Sequence, residues 1–556
     1  MKWYGKMVFL LLAGLAVALW GFGQDGSAAP EGGVDGAITG FDIARQASLE
    51  YEEAEALGYA DECSSIIAGR LATTDGSTIT SHTCDGSSRT WIDIVQGGMH
   101  EDGETVPIYN KRIKKSEFAG DTRELVVLGE IPQAAETYTF MHPVYPCMNE
   151  YQVGMGETTI GGRRELRSTE GIFSIEELQK VVLARSKTAR EAIQMMGDLA
   201  AEYGYIDTGE CLTVIDPEEA WYFEIFGPGE GRKGCVWAAV RLPDDHVAVS
   251  ANIPRIAEVD KYDPDNYMAS ENVYSLAEEM GWWESGTGKP FKMWEAYSGR
   301  KPFSIREYWL LSQVAPSLDL QYFAKELPLS VKPDVKLSAR DVMDLLGATY
   351  EGSDFDMCKN LYVGRGRGGQ MSLSPVAHPW MSRDTMALFN ALKPGTVERQ
   401  RTVAVNQAAY STVIQSRSWL PDSVGGIVWL GFDCPALIPR MPIFSGIMEL
   451  PAEFGVSSQH QFRRDCASWA FHRACRLSQI TYGRDKEKIL AVRSEVLDRA
   501  FAELEEIEKQ AVKLYYEDPE AARQFVNDYS NDFARAVVQR MWDLGDELWA
   551  GYVRGF

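Results

Sequence analysis

Cys63-Ser64-Ser65-Ile66-Ile67-Ala68-Gly69-Arg70, then Asp75-Gly76-Ser77, then Thr78-Ile79-Thr80-Ser81-His82-Thr83-Cys84-Asp85-Gly86 is the stretch on which the fold of this chain turns. Two short β-prone runs flank an Asp-Gly-Ser turn signal, which is the pattern of a hairpin. With the turn centred near Asp75-Gly76, Cys63 falls opposite roughly residue 88, and the hairpin carries it close to residues 82–86. Side chains alternate along a strand, so His82 and Asp85 face opposite sides unless a bulge or the strand end intervenes.

Upstream of Cys63 the composition changes. Residues 29–62 hold nine acidic residues and one basic residue, Arg45, with a Gly-rich start (Gly32, Gly33, Gly36) and a helix-prone part from Phe41 to Leu57. Such a segment reads either as a solvated acidic linker or as a removable propeptide. Before it, Lys2 and Lys6 precede an apolar run from Met7 to Phe22, and the small residues Gly26, Ser27, Ala28 and Ala29 follow. The run is short for a membrane span and has the layout of a cleaved signal. The expected division is a signal peptide over 1–28 and an acidic propeptide over 29–62. The mature chain would be exported, periplasmic or secreted, without stable membrane insertion.

Downstream, Ser174-x-x-Glu177 and Thr188-x-x-Glu191 announce two helices through their capping pattern. Leu212–Asp216 and Trp221–Ile225 predict a second hairpin, His246–Ala251 a further strand, and Arg340–Leu346 a helix. β-prone runs return at 402–415 and 426–432. From Arg484 onward, Ile489, Val492, Val496, Leu497, Phe501, Leu504 and Ile507 recur at helical spacing, and a second helix follows Pro519. These expectations describe sheets flanked by helices in an α/β (α+β) chain. A catalytic domain over 63–480 would be followed by a helical extension over 481–556, suited to packing or to forming a homo-oligomer.

Bulk properties exclude several functions. Across 556 residues the net charge is −25, which opposes a nucleic-acid partner, because that binding needs Lys and Arg to neutralise phosphates. The nine cysteines show no zinc-type spacing and no HExxH pair occurs, so neither a metal enzyme nor a cofactor is expected. Leaving Cys63 aside, eight cysteines are free to form bridges or to stay as buried thiols. Gly364-Arg-Gly-Arg-Gly-Gly369 matches GxGxxG literally, but Gln370–Pro375 follows where a dinucleotide site needs a helix.

The quoted stretch resembles the opening of the mature dipeptidase A family of cysteine dipeptidases (peptidase family C69). These are N-terminal nucleophile (Ntn) hydrolases related to penicillin V acylases and bile salt hydrolases. Further patches follow in order: Met148–Val153, Tyr203-Gly204-Tyr205 with Gly209-Glu210, Ala251–Ile256, Tyr350–Asp356 and Trp419–Asp422. The resemblance covers about residues 63 to 450. It implies a four-layer αββα sandwich and an N-terminal cysteine that cuts dipeptide amide bonds once residues 1–62 are removed. It also leaves open an N-acyl amide hydrolase, or an inactive exported binding protein of the same fold.

Within that resemblance Cys63 is the nucleophile and Asp85 its neighbouring acid. His82 stands where many relatives carry an arginine. Asn252 is the first candidate for the oxyanion donor, with Asn149 and Thr159 as others. Arg255 is a candidate for holding a substrate carboxylate, and Glu157 or Glu210 for a substrate ammonium. The free α-amine of an N-terminal cysteine has a pKa near 7.7–8.0, so it can serve as the base without a histidine.

Overall fold

The structure is a computed structural model that describes residues 63–86, 91–110, 126–299, 304–322, 324–364, 369–456 and 461–553. The expected signal peptide and propeptide lie outside these residues, as do residues 365–368 of the Gly-rich loop. Around that loop, Tyr362–Gly364 and Met371–Leu373 pair as a two-stranded ribbon, so a strand rather than a helix follows it.

The quoted stretch forms β1 (Ser65–Ala68) and β2 (Thr78–Asp85). Every residue of both is buried, because each strand lies inside a two-sheet core. Five more central strands matter for the site: β3 (Gly154–Thr159), β4 (Glu210–Ile215), β5 (Ala220–Phe226), β6 (Val247–Ser250) and β7 (Ala408–Ser416). One seven-stranded sheet runs Ser330–Val331, β6, β1, β2, β7, Ile427–Phe432, Met441–Phe444. The second has eight strands, in the order Tyr267–Ala269, Val236–Arg241, β5, β4, β3, Met148–Asn149, Phe140–His142, Asp93–Val95. All pairings are antiparallel. The expected hairpin of Leu212–Asp216 with Trp221–Ile225 is the β4–β5 pair.

The sheets face one another across hydroxyl contacts. Thr80 Oγ1 and Ser65 Oγ each lie 2.6 Å from Thr213 Oγ1, and Thr78 Oγ1 donates to Asp216 O at 2.6 Å. At Gly156 the approach leaves no room for a side chain. A Cβ there would collide with Ser81 O and lie 2.7 Å from Thr213 Oγ1 and 2.8 Å from Ser65 Oγ.

Helices close both outer faces. On the eight-stranded sheet lie α1 (Ile175–Leu183) and α2 (Ala189–Tyr203), which start where their capping residues predict. Ser174 accepts from Glu177 N and Thr188 from Glu191 N. The other outer face carries α4 (Ala339–Leu346), α5 (Tyr482–Glu517) and α6 (Pro519–Ala550). Between the sequence positions of these groups, α3 (Ile305–Val314) packs against β6. The result is the αββα sandwich of an Ntn-type fold. Among the described residues no helix is long and apolar enough to cross a membrane.

The hairpin register differs from the expected one. Ala68 pairs with Ile79 and Ser64 bridges to Thr83, so Cys63 stands opposite Cys84, not residue 88. Asp75-Gly76-Ser77 is not the centre of the hairpin. Asp75 Oδ1 accepts from Ser77 N (3.1 Å) and Ser77 Oγ (2.7 Å), an Asx-type turn that leads directly into β2. Residues 69–77 therefore form one long connection.

Candidate active site

Cys63 enters the site at the head of β1, where Ser64 is fixed twice to Thr83. Thr83 N donates to Ser64 O (2.9 Å), and Ser64 N donates to Thr83 Oγ1 (2.9 Å). Because β1 also pairs with β6 through Ser65–Ser250, continuing that register puts Cys63 beside Asn252. Hairpin and sheet together thus place one cysteine between Cys84 and Asn252.

Arg306, on α3, binds this junction. Its Nη1 donates to Cys63 O (2.8 Å) and Ser64 Oγ (2.9 Å), and its Nη2 donates to Ala251 O (3.1 Å) and Asn252 Oδ1 (2.7 Å). A planar fork of donors can hold four acceptors at once, which an ammonium cannot. Asn252 in turn donates one amide hydrogen to Thr159 O at 2.6 Å and keeps a second. Its backbone has φ 60°, in the left-handed region that Asn tolerates better than most residues. Thr159 Oγ1 donates to Glu157 Oε1 (3.4 Å), and Glu157 Oε2 lies 3.5 Å from His82 Nε2. Asn252, Thr159, Glu157 and His82 are thus linked in a chain that starts at Cys63.

Asp85 sits at the end of β2, opposite a register shift between Ala408 and Tyr410 on β7. The extra residue of the bulge, Ala409, lies on β7, and Asp85 bonds the Thr83 side chain two residues back, so it keeps the alternation that turns it away from His82. Its carboxylate accepts from Arg401 Nη2 at 2.6 Å. Burial pushes the carboxyl up to about 6, against the opposing pull of Arg401 and Arg306. Arg401 is itself anchored, donating to Thr402 O and to Val403 O (3.3 Å).

His82 is almost fully buried and edge-on to Tyr145 and Tyr410, with Tyr410 Oη 3.4 Å from Nδ1. Burial lowers its pKa to about 3, so the ring is neutral across the physiological range. The Cys63 thiol is held well above its ordinary value, first by its hydrogen bond with Cys84, then by burial and the nearby negative charge of Glu157. A thiolate–imidazolium pair is therefore not the resting state.

The remaining candidates are placed as follows. Asn149 spends its side chain on the fold: Nδ2 donates to Leu183 O and Ser186 O (2.8 Å each), and Oδ1 accepts from Tyr151 N and Val153 N. Arg255 is buried and pairs with Glu307, and its guanidinium also donates to Pro328 O. Glu210 is fully buried opposite Thr159 across the β3–β4 pair. The structure thus joins Cys63, His82, Asp85, Glu157, Thr159 and Asn252 in one neighbourhood and ties Asn149 and Arg255 to internal partners. All nine cysteines lie among the described residues, buried and free of disulfides.

Arg306 and Arg401 were not anticipated. A signal for them existed in the histidine at position 82. With no arginine there, the positive charge facing Asp85 and the cysteine has to arrive from elsewhere in the chain.

A fold of this type, with a cysteine at the head of a central strand, defines a class of hydrolase-like αββα proteins, and sequence similarity narrows it to one family. The chain belongs to peptidase family C69, whose model matches residues 62–495, and this membership makes it a peptide hydrolase. It is similar to a "Probable dipeptidase" of Salmonella dublin, at 26% identity over 70% of this chain and 82% of that protein. A "Probable dipeptidase" of Latilactobacillus sakei is 25% identical over 69% of this chain and 74% of its own. A "Probable dipeptidase B" of Streptococcus pyogenes serotype M1 is 23% identical over 86% of this chain and 91% of its own length.

Proposed function

We propose that this protein is an exported cysteine dipeptidase whose working form begins at Cys63. The observation that carries this reading is the placement of Cys63 at the head of β1, across from Cys84 and beside Asn252, with Arg306 donating to its carbonyl oxygen. His82, with its pKa near 3, is a poor proton acceptor at neutral pH, and a base is still required. Release of residues 1–62 supplies one on the same residue, the Cys63 α-amine, with an ordinary pKa near 7.7–8.0.

The proposed reaction runs through the same amine twice. The α-amine takes the thiol proton as Sγ attacks the carbonyl carbon of a dipeptide. The second amide hydrogen of Asn252 faces the charge that develops on oxygen. The ammonium then protonates the departing amine, leaving a thioester on Cys63. Water, losing its proton to the same amine, releases the acid and restores the thiol. Arg306 fixes the carbonyl of the nucleophilic residue, and the Asp85–Arg401 pair closes the far side of the hairpin end. Names of the similar proteins support a dipeptide substrate.

Intact-mass analysis of the mature protein tests the reading. We expect a chain that starts at Cys63, and a Cys63→Ala variant that retains its leader if the thiol attacks the Glu62 carbonyl itself. An active dipeptidase whose mature chain starts upstream of Cys63 would overturn the mechanism.

A further inference from the structure

Cys63, Cys84 and His82 each bring one ligand atom into a common space, the three atoms lying within 4.8 Å of one another, and all three residues are buried. No spacing motif encodes this group. Cys84 and His82 are two residues apart on β2 and so share a face, and the hairpin register sets Cys63 directly across from Cys84. Two thiols and one imidazole are the donor set of a soft or borderline divalent cation. Around zinc, with metal–sulfur bonds near 2.3 Å, tetrahedral ligands stand about 3.8 Å apart. The group is within an ångström of that spacing, which side-chain rotation can supply.

We propose that Cys63, Cys84 and His82 form a zinc site that caps the nucleophile. Zn²⁺ replaces the two thiol hydrogens, both protons leave to solvent, and one new bond forms to each sulfur and one to a ring nitrogen. Two thiolates balance the 2+ charge, so the bound group is neutral and suited to a buried position. A fourth coordination position stays open to water or to the α-amine of a processed Cys63. In the amine case nitrogen and sulfur of one residue close a five-membered chelate ring. With Sγ bound, the lone pair needed for attack is engaged. The metal is an inhibitor of this site and takes no part in hydrolysis. Inhibition rests on reading Cys63 as the nucleophile, whereas binding does not.

The test uses the full protein as it matures, stripped of metal and titrated with Zn²⁺ against a chromogenic zinc indicator. We expect one equivalent bound per chain with release of about two protons. Cys84→Ser and Cys84→Ala should each weaken binding at least about tenfold, the least that loss of a ligand costs when even outer partners cost that much. Cys235→Ala, at a buried cysteine outside the group, should bind as the wild type does. Differential alkylation of the wild type gives an answer independent of folding in the variants: zinc should protect Cys63 and Cys84 and leave the labelling of other cysteines unchanged.

Absence of binding at about 10 µM Zn²⁺, far above the affinities of zinc sites with thiolate ligands, overturns the proposal. So do Cys84 variants that bind like the wild type, or protection that spares Cys63. Dipeptide hydrolysis by the metal-free protein is measured separately. Zinc bound at this site without any metal-free hydrolysis would sink the functional reading and leave the site standing; hydrolysis without zinc binding would do the reverse.

Discussion

Asp85 and Asn252 show how single residues at this site are set by their surroundings. Burial raises the Asp85 carboxyl to about 6, above the ordinary carboxylate value near 3.9. The folded state therefore binds this proton more tightly than the unfolded chain does. The stabilisation from this group is fully present below about pH 4 and is lost as pH rises through about 6. Relative to Asp85→Asn, the wild type should thus gain stability between pH 7 and pH 4, by up to about 3 kcal/mol. Denaturant unfolding of both proteins at the two pH values measures it, and a gain in the opposite direction would contradict the assignment. At Asn252, the φ of 60° makes alanine a poor probe, because strain would mix with loss of the amide. Asn252→Gly keeps the backbone and removes the donor. If that donor meets the oxyanion, kcat should fall about 100-fold or more with a smaller change in KM. A variant with unchanged kcat would assign Asn252 to holding Thr159 and Arg306 alone. That Cys63 and Asp85 lie near one another was legible because they occupy one continuous stretch with a recognisable hairpin pattern. Arg306 and Arg401 were not, since each reaches the site from more than 200 residues away in sequence, and no local spacing records a contact of that kind.

At the scale of elements, the β1–β2 hairpin and the contact between β2 and β3 decide where the site residues meet. Alternation and turn residues identified the hairpin, the β4–β5 pair, the capped helices α1 and α2, and the final helices. Register was the element-level error, and its cause is physical. Asp75-Gly76-Ser77 has turn chemistry, but its hydrogen bonds begin β2 instead of closing a tight two-residue loop. That four-residue displacement separates the expected partner, residue 88, from the one the structure sets directly across from Cys63, Cys84. Strand β3 depends on Gly156, whose place against Ser81, Thr213 and Ser65 admits no Cβ. Most of those neighbours are backbone or short side chains in the sheet interior, so they cannot swing aside. Gly156→Ala should cost about 1–3 kcal/mol by overpacking. It should also lower activity more than a stability loss of that size explains, since β3 carries Glu157 and Thr159. Urea unfolding alongside dipeptide kinetics checks both; a variant with wild-type stability would show that the sheets separate easily.

For the whole molecule, the sharpest question concerns α5 and α6. The sequence reading treats residues 481–556 as an extension that follows a catalytic domain. In the fold, these helices form the outer layer of the seven-stranded sheet. Trp429, fully buried on Ile427–Phe432, stacks on Phe501 of α5 with ring centroids 4.6 Å apart. Ser530 of α6 accepts from Phe444 N at 3.2 Å, and Arg417 pairs with Glu508. Asn527 Oδ1 accepts from Met448 N (3.0 Å) and Glu449 N (3.2 Å). Removing both helices would strip cover from Trp429, Phe444 and their neighbours. Fully burying a large apolar side chain is worth about 1.5–3 kcal/mol, so exposing several costs an amount comparable to the whole net stability of a typical domain, about 5–15 kcal/mol. A chain ending at residue 480 should therefore be insoluble or fail to unfold cooperatively, even though it retains every residue placed at the site. Expression of that truncation, followed by circular dichroism and denaturant titration of any soluble fraction, is the check. A soluble chain with a cooperative transition and dipeptidase activity would restore the helices to the status of an appendage. The opposite outcome would mean that the four layers fold as one unit and that the strand carrying Cys63 is held in register partly by helices at the far end of the chain.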